Sequence, residues 1–398
     1  MHHGVEGFMY PNEVELQWSV LIALYPYITG LVAGAFILAS LARVFKVTAV
    51  RPTYRLALLT ALAFLLVAPL PLQLHLGHPE RSFEMYLTPH RSSAMAMFGF
   101  VYLWYLMVVL LLEIWLDYRE DLVLRARATS GLKRFLYRAL TLGSDDIGEE
   151  SRRIDDRLGW IITVIGIPSA FLLHGYVGFI FGSVKANPWW STPMMPIVFL
   201  FSAMVSGIAM VLLLYVALCR IRRVPIEMPC LDTIARYLFY VFLIDFSLEM
   251  LDLVHRIYEA GESFRTLDFM VHTRLYGSQV ILQIWIGTVL PIALLALTQV
   301  AKLREPLRRG VYVTASALTL VGIFAMRWNV VIGGQLFSKS FLGYTSYKVE
   351  FVTREGLLAA AALMILPFFL LWGLLVLLPP WPPPTPAIAG VDTPAHRV

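Results

Sequence analysis

Apolar residues run along this chain in long blocks, and polar residues are mostly confined to the segments between them. The blocks cover positions 18–45, 54–74, 92–117, 158–181, 193–219, 234–255, 276–301, 311–331 and 356–378. Each reaches the roughly 20 residues an α-helix needs to cross a bilayer. The expected fold is therefore all-α, a polytopic membrane protein with about nine transmembrane helices. No cleavable signal peptide is expected, because the first block follows a polar leader without a basic start.

Composition points the same way. Of the 398 residues 58% are hydrophobic and 15% charged, against about 45–50% and about 25% in soluble domains. The mean hydropathy is +0.70. Basic residues then set an orientation. They crowd into alternate connections: Arg43 to Arg55, Arg119 to Arg157, Arg220 to Arg236, and Lys302 to Arg309. Positive loops stay in the cytoplasm, which predicts an inner (cytoplasmic) membrane protein with a periplasmic amino terminus and a cytoplasmic carboxyl terminus. The pI near 9.1 follows from this bias, and no nucleic-acid partner is implied.

An internal repeat divides the chain. Thr29, Gly30 and Gly34 of the first block echo Ser202, Ala203 and Gly207 of the fifth. The end of the second, Leu74 to His78, echoes Leu251 to His255 at the end of the sixth. The run Ala170 to His174 in the fourth echoes Phe324 to Arg327 in the eighth. Four crossings are an even number, so the two units run parallel. The predicted organisation is a periplasmic leader (1–17), a first four-helix bundle (18–192) with a cytoplasmic loop (118–157), a second four-helix bundle (193–351), a ninth helix (352–378) and a Pro-rich cytoplasmic tail (379–398).

With this orientation several polar side chains gather at the outer end of the first bundle. His75, His78, Glu80 and Arg81 end the second block, His174 and Tyr176 lie near the end of the fourth, and Gln17, Trp18 and Tyr25 open the first. Ionisable groups at membrane depth are costly and usually face a protein-lined cavity. A second group lies on one face of the sixth block: Asp245, Glu249, Asp252 and Arg256 at i, i+4, i+7 and i+11. With His255 and with Arg327 as a partner for Asp252, this stripe is a candidate proton path, or else a structural salt-bridge core. Two cysteines, Cys219 and Cys230, are too few for an iron–sulfur cluster, which takes about four thiolates. No metal site is expected.

His75 to Arg81 followed by Ser92 to Met95, and Leu173 to Phe179 followed by Asn187 to Pro193, resemble the signatures of the NrfD/PsrC family. These are the quinone-interacting membrane subunits of polysulfide-reductase-type complexes. The length and the run Arg327 to Val330 are similar to the larger HybB, DsrP and QrcD members, although His75 and His78 replace the family's usual Asp and Arg. The resemblance implies electron exchange between menaquinone or a related quinone, bound near the outer face of the first bundle, and a periplasmic iron–sulfur or cytochrome subunit. Such complexes are completed by a multihaem cytochrome c and a molybdopterin-type subunit, and this chain would carry no haem or iron–sulfur cluster of its own. His174, Tyr176, His75 and His78 would then serve the quinone directly, with Tyr25, Gln17, Trp18, Glu80 and Arg81 around it. The loops 81–91, 185–193 and 335–354 would meet the partner. Two alternatives stay open: a secondary transporter, which intramembrane acids suit, and a single-haem membrane cytochrome using two of His75, His174 and His255.

Overall fold

The computed structural model describes residues 5–381 apart from positions 89, 91 and 262; the tail beyond Trp381, and two positions of the expected docking loop 81–91, lie outside them. The described residues form nine long helices: α1 (Val20–Arg43), α2 (Thr48–His75), α3 (Ala96–Ala128), α4 (Glu149–Gly182), α5 (Met195–Arg222), α6 (Met228–Glu259), α7 (Tyr276–Val300), α8 (Glu305–Gln335) and α9 (Leu357–Leu377). All but α6 are long and apolar enough to cross a membrane, which makes eight. Helix α6 carries Arg236, Asp245, Glu249, Asp252 and Arg256 along its length. The chain is thus an all-α, multi-pass membrane protein. A two-residue antiparallel pair, β1 (Glu6–Gly7) with β2 (Gly343–Tyr344), ties the leader to the segment after α8.

Helix α1 is apolar all round and buried along its whole apolar length, as befits a central element. It touches α2, α4, α5 and α8 and, over a smaller area, α9, which packs mainly against α2 on the outside. Small residues set the closest approach, since lipid offers no hydrophobic drive for helix association. A Cβ on Gly207 would come within 2.4 Å of the Gly34 backbone, and one on Gly34 within 2.8 Å of Gly207 Cα. These two glycines occupy equivalent positions in the sequence repeat, so α1 and α5 meet through matching faces.

The expected loop 118–157 is largely helical. Helices α3 and α4 extend beyond their apolar blocks and are joined through a short helix, Gly131–Leu140. Ion pairs join the extensions, Arg152 to Glu120 at 2.6 Å and Arg119 to Asp155, and Arg55 of α2 ties α3 in through Asp117 at 2.7 Å. Enlarging Gly207 to Leu should prevent stable accumulation of the chain in membranes, because backbone lies where the side chain would go. Gly310→Ala, with no atom within 4 Å of the new carbon, should leave it unchanged. Equal accumulation of both variants, measured by immunoblot and detergent melting curve, would contradict this packing.

Candidate functional site

Among the described residues the largest fully buried side chain is a charged one, Arg327 of α8. Its Nη2 donates to Ser202 Oγ of α5 at 2.6 Å, to the Phe199 carbonyl at 3.3 Å and to His174 Nε2 of α4 at 3.1 Å. The guanidinium also lies 3.9 Å from the centroid of the Phe199 ring, a favourable cation–π contact. His174 is equally buried. Arginine offers donors only, so His174 Nε2 accepts, the ring is neutral in this contact, and its Nδ1 carries the hydrogen. Nδ1 then donates to Thr29 Oγ1 at 3.3 Å, and Thr29 donates to the Tyr25 carbonyl at 3.1 Å. The result is one polar chain through the centre of the bundle, running from Ser202 through Arg327, His174 and Thr29 to Tyr25.

This chain has an internal symmetry. Thr29 matches Ser202 and His174 matches Arg327 in the sequence repeat, and each hydroxyl bonds the long side chain of its own half. The two long side chains then meet each other. Helix α4 runs to Gly182, so His174 lies two turns inside its helix and faces α8 rather than the outer end.

The other predicted quinone-site residues divide into four places. Tyr25 and Tyr176 flank Phe98, with ring centroids 5.5 and 5.8 Å from it, and the Tyr176 ring is stacked. The Tyr176 hydroxyl is buried without a hydrogen-bond partner. His75 bonds through Nδ1 to Glu355 at 2.6 Å, beside a polar hollow of about 630 Å³ that Gln17 and Tyr347 also line. His78, Glu80 and Arg81 are exposed: His78 bonds Glu80 and Arg81 bonds Glu84. The Arg81 hydrogen bond holds the Glu84 carboxyl below the ordinary range. Trp18 stacks on Trp190 with centroids 5.1 Å apart, and its backbone is bracketed by the Gln335 amide.

The stripe on α6 also differs from expectation in its partners. Asp252 accepts from Thr192 at 2.6 Å and from Arg256 at 2.8 Å, not from Arg327. Spacing on one helix favours the local i, i+4 pair, while Arg327 is drawn to α4 and α5. Asp245 is buried with an unpartnered oxygen, and Glu249 reaches Gln283 at 3.5 Å. Both carboxyls lie within electrostatic reach of Arg327. His255 is exposed, 3.9 Å from Glu259.

The segment Asn187 to Trp190 caps the end of α8. Asn187 donates to the Gly334 carbonyl at 2.7 Å, Trp189 to Asn329 at 2.9 Å and Trp190 to Val330 at 2.6 Å. These carbonyls lack helical partners at a helix terminus or beside it. Sequence reasoning missed Phe98, Gln283, Asn329, Gln335 and Glu355. Of these, only the amides Gln283 and Asn329 inside apolar blocks carried a readable signal.

A family model described as "Polysulphide reductase, NrfD" matches residues 10–339. The chain belongs to the NrfD family. Among curated proteins it is 36% identical to a selenate reductase subunit of Mesobacillus selenatarsenatis over 203 residues, 50% of this chain and 47% of that protein. It is 27% identical to a putative dimethyl sulfoxide reductase membrane subunit of Halobacterium salinarum over 317 residues, 77% of this chain and 66% of that protein. The match thus spans about half the length of the first relative.

His174→Gln keeps an acceptor for Arg327 and a donor for Thr29, and should retain most of the stability of the chain. His174→Leu removes the acceptor from a buried charge and should destabilise it by about 2–3 kcal/mol. Detergent thermal melts compare the two; equal midpoints would mean the chain of hydrogen bonds contributes nothing.

Proposed function

We propose that the protein is the quinone-interacting membrane subunit of a respiratory reductase-type complex. It exchanges electrons between menaquinone or a related quinone and a partner iron–sulfur subunit, with a multihaem cytochrome c or a molybdopterin-type subunit further along the chain of carriers. Family membership and relatives named as reductase subunits support the class. The single observation that carries the site is the Tyr176 hydroxyl, buried and unpartnered beside Tyr25 and the flat face of Phe98. A buried donor without an acceptor is costly, and a quinone carbonyl supplies the acceptor. The rings give the headgroup aromatic surfaces to lie against.

His174 backs this site from one helix turn away, through Thr29 and the Tyr25 carbonyl. His75, paired with Glu355, is assigned to the rim of this site, for proton exchange when the headgroup changes redox state. The positive-inside rule puts this rim on the periplasmic side and the Arg43 end in the cytoplasm. The partner docks on the face formed by the loops 185–193 and 335–354. The exposed position of His255 and the engagement of both His174 nitrogens weigh against the single-haem reading. Membership of the NrfD family, with relatives named as reductase subunits, weighs against the transporter reading.

Tyr176→Phe removes only the hydroxyl, and should lower quinone-dependent turnover roughly tenfold, the worth of about one hydrogen bond. The complex should assemble normally. Unchanged turnover and quinone affinity in membranes would sink the site assignment.

Proton coupling is the second part of the proposal. The acidic stripe of α6 approaches Arg327, and Arg327 leads through His174 to Tyr25 in the first half. This gives Asp245 and Glu249 an electrostatic route to the quinone site across the two halves. Asp245→Asn should keep electron transfer in reconstituted vesicles but lose most of the charge movement reported by a potential-sensitive dye. Full charge movement in that variant would return the stripe to a structural role.

A further inference from the structure

A cavity of about 340 Å³ opens between α5, α6, α7 and α8, away from the Tyr25–Tyr176 cluster. Its volume falls within the range of small-molecule sites, about 300–1,000 Å³. Its lining is sorted. Met195, Val198, Ile284 and Met326 form apolar walls, while Glu249, Asp252, Gln279, Gln283 and Asn329 bring hydrogen-bonding groups. The mouth is flanked by Leu253 and Ile257 of α6, both exposed, so an amphiphile can enter from an apolar surrounding. Gln279 Oε1 is buried without a partner. Wide π-type turns over Tyr276–Val289 carry both glutamines, and such turns recur at functional sites.

The repeat adds an independent observation. Matching Thr29 with Ser202 pairs Tyr25 with Val198; matching His75 with Asp252 pairs the ends of α2 and α6; matching His174 with Arg327 pairs Tyr176 with Asn329. Val198, Asp252 and Asn329 all line the cavity. By that match the cavity corresponds in the second half to the proposed quinone site, and its carboxylate and amide groups stand together with Thr192, Arg256 and His272. Carboxylates accept hydrogen bonds and amides both accept and donate. Thr192 and Arg256 are taken up by Asp252, and the Asn329 amide by Gln283 and Ser278, so the buried Gln279 Oε1 is left as an acceptor that a ring hydroxyl satisfies and a carbonyl does not.

We propose that the second half binds a second quinone-type molecule, preferentially in the hydroquinone form, in the cavity between α5 and α8. This rests on the quinone reading of the first half for the chemical class of the ligand, and on the cavity for the place. Binding is the whole of the proposal; no electron transfer is assigned to it.

The intact complex, in membranes and under reducing conditions, would be labelled with a light-activated azido-menaquinol and the adducts mapped by peptide mass spectrometry. Adducts are expected on α5–α8 around the cavity in addition to those on α1–α4. Val198→Trp in the wall and Leu253→Trp at the exposed mouth should each abolish the α5–α8 adducts and spare the others. The second variant tests the site if the first fails to fold. Adducts confined to α1–α4, or α5–α8 adducts indifferent to the variant that folds, would overturn the second site and leave the first. Adducts in neither half would overturn both readings, and adducts on α5–α8 alone would support the second site and remove the first.

Discussion

A guanidinium held away from water in an apolar bundle has to be satisfied by whatever surrounds it, and Arg327 imposes that demand on three neighbouring helices at once. Removing such a charge from water costs several kcal/mol per ion. The protein offsets this with a hydroxyl from α5, a backbone carbonyl, a neutral imidazole from α4 and an aromatic face, with two carboxyls of α6 nearby. Each partner is thereby fixed. The tautomer of His174, the rotamer of Ser202 and the orientation of Phe199 follow from one residue. Because His174 passes the constraint on to Thr29 and Tyr25, the geometry of the first half depends on a residue of the second.

The close contact of α1 with α5 makes this geometry attainable. Gly34 and Gly207 let the two backbones approach, which brings Thr29 and Ser202 within reach of side chains from α4 and α8. A pseudo-symmetric pair built from matching segments would place two copies of the same residue against each other. Here the repeat has diverged to histidine and arginine, a donor–acceptor pair. Two arginines in contact would repel, and two neutral histidines would leave no fixed charge near the acids of α6.

Much of the architecture was legible in the chain because membrane helices announce themselves by length and apolarity, and the small residues Gly34 and Gly207 mark where two of them meet. The limits of the helices were less legible. The apolar signal of α3 ends before Tyr118, yet the helix continues to Ala128 because Arg55, Arg119 and Arg152 pair with acids across the extension. Individual partners were less legible still. Asp252 and Arg327 look complementary in sequence, but a residue four positions away on the same helix reaches Asp252 first. His75 finds Glu355, some 280 positions on, which no local pattern announces. Glu113, fully buried and accepting from Tyr54 and Thr163, escaped notice because a lone acid near a block's end looks like a boundary residue.

The order of synthesis gives the Arg327 contacts a different significance. Helix α8 leaves the ribosome after α1, α4 and α5, so Thr29, His174 and Ser202 are already in the membrane when the arginine arrives. An ionised side chain inside an apolar helix is costly to insert, and partners already in place offset part of that cost. Until then the earlier helices hold an open polar seam between them. The hydrogen bonds at the centre of the bundle are thus completed by a residue translated near the end of the chain, and a chain ending before α8 would leave His174 Nε2 and Ser202 without that partner.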